Sequence, residues 1–408
     1  MRDIELYRTL IGIEPPWVVK KVTVESNKEE VIIYLDVTSG SRFSCPKCGK
    51  AGCSIKNRRE RVWRHLDTCQ FKTLINAPLP RVYCPDCGVK TVVPPWGETY
   101  SRFTPLFERF AIDAIREMSI VGVCKILKIS WDEADTIIDR AVKRGLNRME
   151  LGQLKKIGID EKAVKKGHKY IAVVYDLDTS KVIWVGKNRK KETLDSFFAS
   201  LPKEVLKGFQ CITVDMWKPY RASSLEWIEK AEEKIVLDKF HLSKHLNEAV
   251  NHVRKNEHRK LNHDGNELLK NSKYCWLYHS ENVPEQRLES FKELGQKDLK
   301  TVRAWHIKET FRHLWDFTYK ANAKKLFDSW YFWATHSKIS EIIKVAKRFK
   351  KHLPQILTYF KYRISNSKAE GINNKIQSIK KKAYGFRNIN RFINAIYFHC
   401  GKLELYPL

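Results

Sequence analysis

The chain has 408 residues, 43% hydrophobic and 12% aromatic, which is enough to fold and too long for one simple core; two to four domains are expected. Seventy-six Lys and Arg against 47 Asp and Glu leave a net charge of +29, so a polyanion is the first partner to consider. No apolar run approaches the ~20 residues of a membrane span and no basic amphipathic helix stands apart at a terminus, which disfavours the membrane and leaves nucleic acid.

The opening MRDIELYRTLIGIEPP is acidic early and lacks a long apolar segment, so a cytosolic chain without a signal peptide is expected, and its ten cysteines read as thiols or metal ligands. WVVKKVTVESNKEEVIIYLDV, from Trp17 to Val37, reads as two strands around a polar turn. Next come CPKCG, with Cys45 and Cys48, and CPDCG, with Cys84 and Cys87. Each Cys-x-x-Cys brings two thiolates to one ion, and Pro and Gly permit the tight turn, so four thiolates complete a tetrahedral Zn²⁺ site of structural type. The long stretch between the pairs reads as a β-hairpin excursion. Cys53, His65 and Cys69 lie within it and remain alternative ligands, while Arg58, Arg59, Arg61 and Arg64 form a basic strand suited to DNA.

After the Pro-bearing VVPPWGETYS the text turns helical. SIVGVCKILKISWDEADTIIDRAVKR holds a short helix, a turn at Lys128–Ser130 and a second helix capped by Ser130, which is helix-turn-helix spacing with the second helix placed to enter a major groove. From Lys156 the period becomes that of strands. KKIGIDEKAV, then the hairpin HKYIAVVYDLDTSKVIWVG, the helix TLDSFFASL, the strand FQCITVDMW and the strand KIVLDKFH give three strands, helix, strand, helix, strand, with carboxylates at strand ends. Between about Asn251 and Phe360 the sequence is basic and aromatic at helical spacing, and Trp276, Trp305, Trp315, Trp330 and Trp333 read mostly as core of an all-helical insertion.

SNSKAEGINNKIQSIKKKAYGFRNINRF carries seven Lys and Arg and one acid, Glu370. As a helix it places Ala369, Ile372, Ile376, Ile379 and Ala383 on one face and Glu370, Asn374, Gln377 and Lys381 on the other, where the amides and the amine meet phosphate or base edges. A site using two Mg²⁺ (or Mn²⁺) ions needs two or three carboxylates from parts of the chain that converge. Asp160, Asp215 and Glu370 meet that need if the sheet sets the two strands side by side. Asp176, Asp178 and Glu161 are rival acids, and His245, His252 and His258 read as residues of a polar helix face.

The blocks IGIDEKAVKKG, CITVDMWKPY, VLDKFHLSKHLNEAV and SNSKAEGINNKIQSIKKKAYGFRN resemble, in order, those of bacterial DDE insertion-sequence transposases, in particular the zinc-finger-bearing ISL-three family. The resemblance covers nearly the whole chain. It implies a multidomain α+β protein: 1–98 a β-rich zinc ribbon that binds DNA, 99–150 a helix-turn-helix, 151–250 the first part of an RNase H-like α/β core with a mixed sheet, 251–360 the helical insertion, and 361–408 the second part of the core. It implies the triad Asp160, Asp215 and Glu370, with Asp238 and His241 forming a D-x-x-H block after the second acid. The implied activity is binding to the terminal inverted repeats of the chain's own element, Mg²⁺-dependent cleavage and transfer of 3′-hydroxyls to double-stranded target DNA. A homodimer or higher oligomer on the DNA ends and a bacterial, nucleoid-associated cytoplasmic location go with it. A non-catalytic zinc-finger and helix-turn-helix regulator and an RNase H-like structure-selective nuclease are the alternatives.

Overall fold

Period-two burial builds the first sheet. In β2 (Glu30–Val37) the side chains of Val31, Ile33, Leu35 and Val37 are buried, and β1 (Trp17–Glu25) pairs antiparallel with it through a 3₁₀ turn at Ser26–Lys28, where the polar turn was expected. β3 (Ile55–Arg64) and β4 (Lys72–Cys84) form the hairpin between the cysteine pairs. β2 runs parallel to β4, and the short β5 (Gly88–Thr91) folds back along β4 from Cys84. Ile33, Trp63, Ile75 and Leu79 centre the core beneath this sheet.

α1 (Asp3–Ile11) precedes β1, and α2 (Pro105–Glu117), α3 (Ile120–Leu127) and α4 (Trp131–Asn147) follow β5. Their boundaries follow from capping: the hydroxyls of Thr104, Ser119 and Ser130 accept backbone N–H groups at the three N-termini, and Ser130 with Glu133 forms a full capping box. Lys128, in the left-handed conformation, ends α3 and makes the tight turn between the last two helices.

The structure, a computed structural model, describes residues 3–152, 154–165, 169–364, 367–383 and 385–407. It divides into two units, Met1–Met149 with Leu403–Leu408, and Glu150–Lys402. The zinc-ribbon sheet and the helix-turn-helix thus share one unit, and the tail from Leu403, grouped with the catalytic core on sequence, belongs with α2 and α4. Arg148 donates to the Tyr406 carbonyl at 2.8 Å, and the guanidinium groups of Arg109 and Arg116 lie 5.2 and 5.3 Å from the Tyr406 ring. Gly145 makes room for the tail, because a Cβ added there would stand 2.6 Å from Cβ of Leu403. Gly145→Ala is therefore expected to lower the stability of this unit by roughly 1–3 kcal/mol through overpacking. Urea unfolding followed by tryptophan fluorescence reads the shift, and an unchanged midpoint would contradict the packing.

The second unit begins with a meander, β6 (Lys156–Lys165), β7 (Lys169–Asp176) and β8 (Lys181–Lys187). β7 is buried without alternation from Ile171 to Tyr175, as befits a strand covered on both faces. α5 (Lys191–Ala199) and α6 (Lys203–Gly208) lead to β9 (Cys211–Val214), and α7 (Lys218–Trp227) and α8 (Ala231–Lys234) lead to β10 (Ile235–Leu237). β9 is parallel to β6 and β10 is parallel to β9, giving the order β10-β9-β6-β7-β8. This is the mixed sheet expected, with the two acid-bearing strands adjacent.

α9 (Lys239–His263) carries the chain out of the sheet into the helical insertion. There α10 (Lys273–Leu277), α11 (Glu285–Gly295), α12 (Lys300–Arg312), α13 (Lys320–His336), α14 (Ser340–Lys351), α15 (Leu353–Leu357) and α16 (Tyr359–Tyr362) follow without a strand among the described residues. Trp276, Trp305 and Trp330 are buried in it, Trp315 is half-buried and Trp333 is exposed. α17 (Ser367–Lys382) and α18 (Ile389–Cys400) complete the unit.

Candidate active site

The four sulfurs of Cys45, Cys48, Cys84 and Cys87 lie within 4.8 Å of one another, with Cys48 Sγ 3.6 Å from Cys84 Sγ. A tetrahedron with Zn–S bonds near 2.3 Å has sulfurs about 3.8 Å apart, so the donor set fits structural zinc. Gly49 and Gly88, both left-handed (φ +77° and +70°), close the two knuckles, and the amides of Cys48 and Lys47 bring the Cys45 thiol down to about 6. The alternatives take no part in this cluster. Cys53 is buried and donates to the Lys50 carbonyl at 3.4 Å, Cys69 is exposed, and Nδ1 of the buried His65 is bonded to the Thr104 hydroxyl at 2.9 Å.

Beside the knuckles a groove of about 1100 Å³ runs between β3, β5 and the α3–α4 turn, with Arg59, Arg61, Lys72, Lys90, Arg102 and Lys128 among its lining. Arg58 and Arg59 are exposed, Arg58 paired to Asp36 at 2.7 Å, and Arg61 lies over the Trp63 ring. Arg64 departs from its expected role. It is 6% exposed, and its guanidinium bridges Asp67 at 2.5 Å and the carbonyls of His65, Thr73 and Leu127, so it holds the unit together from inside. On α4 Arg140 and Arg144 pair with Glu98 and the buried Glu108, and the exposed Lys143 pairs with Asp139 at 2.8 Å, while Asp132 and Asp135 add further acids to that helix. In the groove's lining basic residues outnumber Glu60, Glu98 and Glu133, and this excess attracts phosphate.

In the second unit three acids stand on three adjacent strands, Asp160 within β6 and Asp215 and Asp238 just past the ends of β9 and β10. The register pairs Gly158 of β6 with Thr213 of β9 and Leu237 of β10 with Val214. Continued past the strand ends, it sets Asp160 level with Asp215, and Asp215 level with Asp238. A small pocket is lined by all three, with His241, Asn373 and Tyr175. Asp160 is the most heavily engaged: its Oδ1 accepts from the Glu161 amide at 2.7 Å, and its Oδ2 from Lys162 Nζ at 2.6 Å and Asn373 Nδ2 at 2.8 Å. The Asp215 carboxylate accepts from the Trp217 amide, and that of Asp238 accepts from the Phe240 amide at 2.9 Å, capping α9. His241 Nε2 sits between two of the acids, 3.9 Å from Asp160 and 3.8 Å from Asp238.

Glu370 is exposed in the first turn of α17, one helical turn before the pocket residue Asn373. Asn374, Gln377 and Lys381 are exposed with it, as the helical reading placed them. On the inner side Ile372 and Ile376 are buried; Ile379 is only half-buried and Ala383 is exposed. Asn373 and Tyr175 are the pocket's additions to the residues expected from sequence, and Lys162 donates to Asp160 from outside its lining. Among the rivals, Glu161 pairs with Arg189 at 3.0 Å, and burial raises its carboxyl above the usual range. Asp178 sits in the β7–β8 turn paired to Lys156, and Asp176 receives that turn's amide and hydroxyl. His245 pairs loosely with Glu248 at 3.8 Å and His252 is exposed. Among the described residues only the cysteine cluster closes to 4.8 Å as a group of three or more such side chains; the acids line a pocket rather than a closed cage. Their oxygens are nonetheless the hard donors that Mg²⁺ prefers, and Mg²⁺ keeps several waters where a cage is incomplete.

Comparison with known proteins accounts for all three parts of the chain. Residues 157–396 match a family described as "Transposase", of ISL3 DDE type, residues 41–87 match the "zinc-finger of transposase IS204/IS1001/IS1096/IS1165", and residues 92–142 match the "Helix-turn-helix domain of transposase family ISL3". The chain is 26% identical over 396 residues to the "Transposase for insertion sequence element IS1001" of Bordetella parapertussis, covering 96% of this chain and 97% of that one. It is likewise 26% identical over 424 residues to the "Transposase for insertion sequence element IS1557" of Mycobacterium tuberculosis, covering 95% and 93%. No described helix is long and apolar enough to cross a membrane. A DNA-binding zinc ribbon and helix-turn-helix followed by a matching catalytic domain over more than half of its length place this chain in the ISL3 family of insertion-sequence transposases.

Proposed function

We propose that this transposase cuts the terminal inverted repeats of its own element and joins their 3′ ends to target DNA, with Asp160, Asp215 and Glu370 holding two Mg²⁺ or Mn²⁺ ions. The observation that carries the reading is the sheet register: two parallel strands bring Asp160 and Asp215 level, and α17 enters the same pocket from the far end of the sequence. When bound, the ions supply the Lewis acidity that activates the attacking oxygen and stabilises the leaving one. The protein's own residues prepare the place. Lys162 and the backbone amides of Glu161 and Trp217 fix the carboxylates and offset their mutual repulsion. His241, between Asp160 and Asp238, is assigned to orient those acids or a flanking phosphate.

DNA contact by the first unit is assigned to the groove through Arg59 and Arg61, with the exposed Arg58 outside the groove as a further contact, rather than to the acidic outward side of α4 or to buried Arg64. Near the catalytic pocket it is assigned to Asn374, Gln377 and Lys381. Arg59→Ala with Arg61→Ala is expected to weaken binding to element ends and random duplex alike. The double variant should flatten the slope of log affinity against log salt by about 1.8, at roughly 0.9 per lost phosphate contact. An unchanged slope in a salt titration would remove these arginines from the interface. Because two ends must be brought together, the working form is a dimer or larger on DNA.

A further inference from the structure

One hydrogen-bonded bridge joins α17 to the sheet directly at the acid pocket. Tyr175, fully buried on β7, donates its hydroxyl to Asn373 Oδ1 at 2.6 Å, and Asn373 Nδ2 donates to Asp160 Oδ2 at 2.8 Å. The two partners fix the amide's orientation. A carboxylate oxygen only accepts, so the nitrogen must face Asp160, and the oxygen is then left for the one hydroxyl within reach. A second tether lies further along the same helix, where Lys380 Nζ donates to the Ala163 carbonyl at 2.7 Å. From Asn373 to Lys380 the helix rises about 10.5 Å. From Asp160 to Ala163 the strand rises about 10 Å. The helix therefore lies along β6 in the same chain direction, held at both contacts, with Ile376 buried between them. Nothing in a merely packed amphipathic helix requires this, since Ile372 and Ile376 already supply its apolar contact.

We propose that Asn373 is a positioning residue: through Tyr175 and Asp160 it fixes the start of α17, and with it Glu370, against the middle of β6, and so sets the affinity of the pocket for divalent cation. This rests on the reading of Asp160 and Glu370 as cation-binding acids. Without the bridge the Tyr175 hydroxyl loses its partner in a buried site, Asp160 Oδ2 keeps only Lys162, and Glu370 is held by one tether nearly three turns away. Residues that orient metal ligands typically change metal affinity 10- to 100-fold when lost.

The test is a Mn²⁺ titration of the full-length, zinc-loaded protein, following loss of the free-ion electron paramagnetic resonance signal, so that no turnover is needed. Wild type is compared with Asp160→Asn, Asn373→Ala, Tyr175→Phe and the Asn373→Ala/Tyr175→Phe pair. The expected result is loss of the site in Asp160→Asn, an affinity weaker by about 10-fold or more in Asn373→Ala, and a smaller loss in Tyr175→Phe. The pair should be no weaker than Asn373→Ala alone, because both act through one contact. Binding to element-end DNA should stay within about twofold throughout. Wild-type Mn²⁺ affinity in Asn373→Ala and Tyr175→Phe, with Asp160→Asn still defective, overturns the bridge and leaves the acid site standing. Unchanged affinity in Asp160→Asn overturns the acid site itself. If Asn373→Ala does not fold, Tyr175→Phe, which keeps the buried ring, decides the matter.

Discussion

Asp215→Asn and Glu370→Gln are each expected to lower cleavage of the element ends more than about 100-fold while changing end binding less than about twofold. The magnitude follows from removing a direct ligand of the ions, which should exceed the 10- to 100-fold typical of groups one step removed. These two substitutions are the informative ones because the fold tolerates them. Asp215 receives one backbone amide, from Trp217, which the carbonyl oxygen of Asn accepts equally well. Glu370 is exposed and its helix is anchored elsewhere. Asp160→Asn should be equally inactive but less clean. Both of its oxygens already accept from donors, so an amide nitrogen placed at either one meets Lys162 and Asn373, or the Glu161 amide. Cleavage within tenfold of wild type in both Asp215→Asn and Glu370→Gln, measured by gel analysis of labelled ends, would refute the assignment.

Replacing Cys84 and Cys87 together by Ser is expected to abolish zinc binding and sequence-specific DNA recognition. Structural zinc contributes on the order of 10 kcal/mol, comparable with the whole stability of a typical domain. The loss should fall first on the knuckle end. Cys84 closes β4, β5 begins only four residues later, and Lys50 to Asp86 at 3.1 Å is an exposed ion pair too weak to join the knuckles alone. The arginine groove shares that end, with Pro46, Lys47 and Lys90 in its lining, so its shape depends on the ion. Atomic emission should find zinc in the wild type and none in the variant, with footprints at the element ends lost and the helical signal of the second unit kept. Stoichiometric zinc together with a normal footprint in the variant would contradict the four-cysteine site.

The parts of this molecule that were legible in its sequence are those fixed by local chemistry. Paired cysteines flanked by Pro and Gly announce their own turns, and Ser130 with Glu133 announces a helix start. The strand ending at Asp215 and the strand holding Asp160 could be read from apolar runs, although only the sheet register shows them level. What was not legible depends on tertiary pairing. Arg64 belongs to the same basic run as Arg59, yet it ends β3 where the strand runs into the interior beside Trp63, and there Asp67 and three carbonyls engage it. Asn373 and Asn374 are chemically identical neighbours, and one bonds Asp160 while the other faces solvent. The apolar stripe located α17's inner face but not the polar residues at its margin. The return of the tail to Gly145 spans more than 250 residues of sequence, a distance over which no local pattern carries information.

The most direct measurement incubates the purified protein and Mg²⁺ with the DNA flanking its own gene, beside an Asp215→Asn control, and maps every new 3′ end. Paired cuts at inverted repeats, followed by joining of those 3′ ends to other DNA and absent from the control, are the predicted result. Specific binding without metal-dependent cuts, or cuts that the control reproduces, would contradict the account, and cutting without joining would reduce the activity to that of a nuclease.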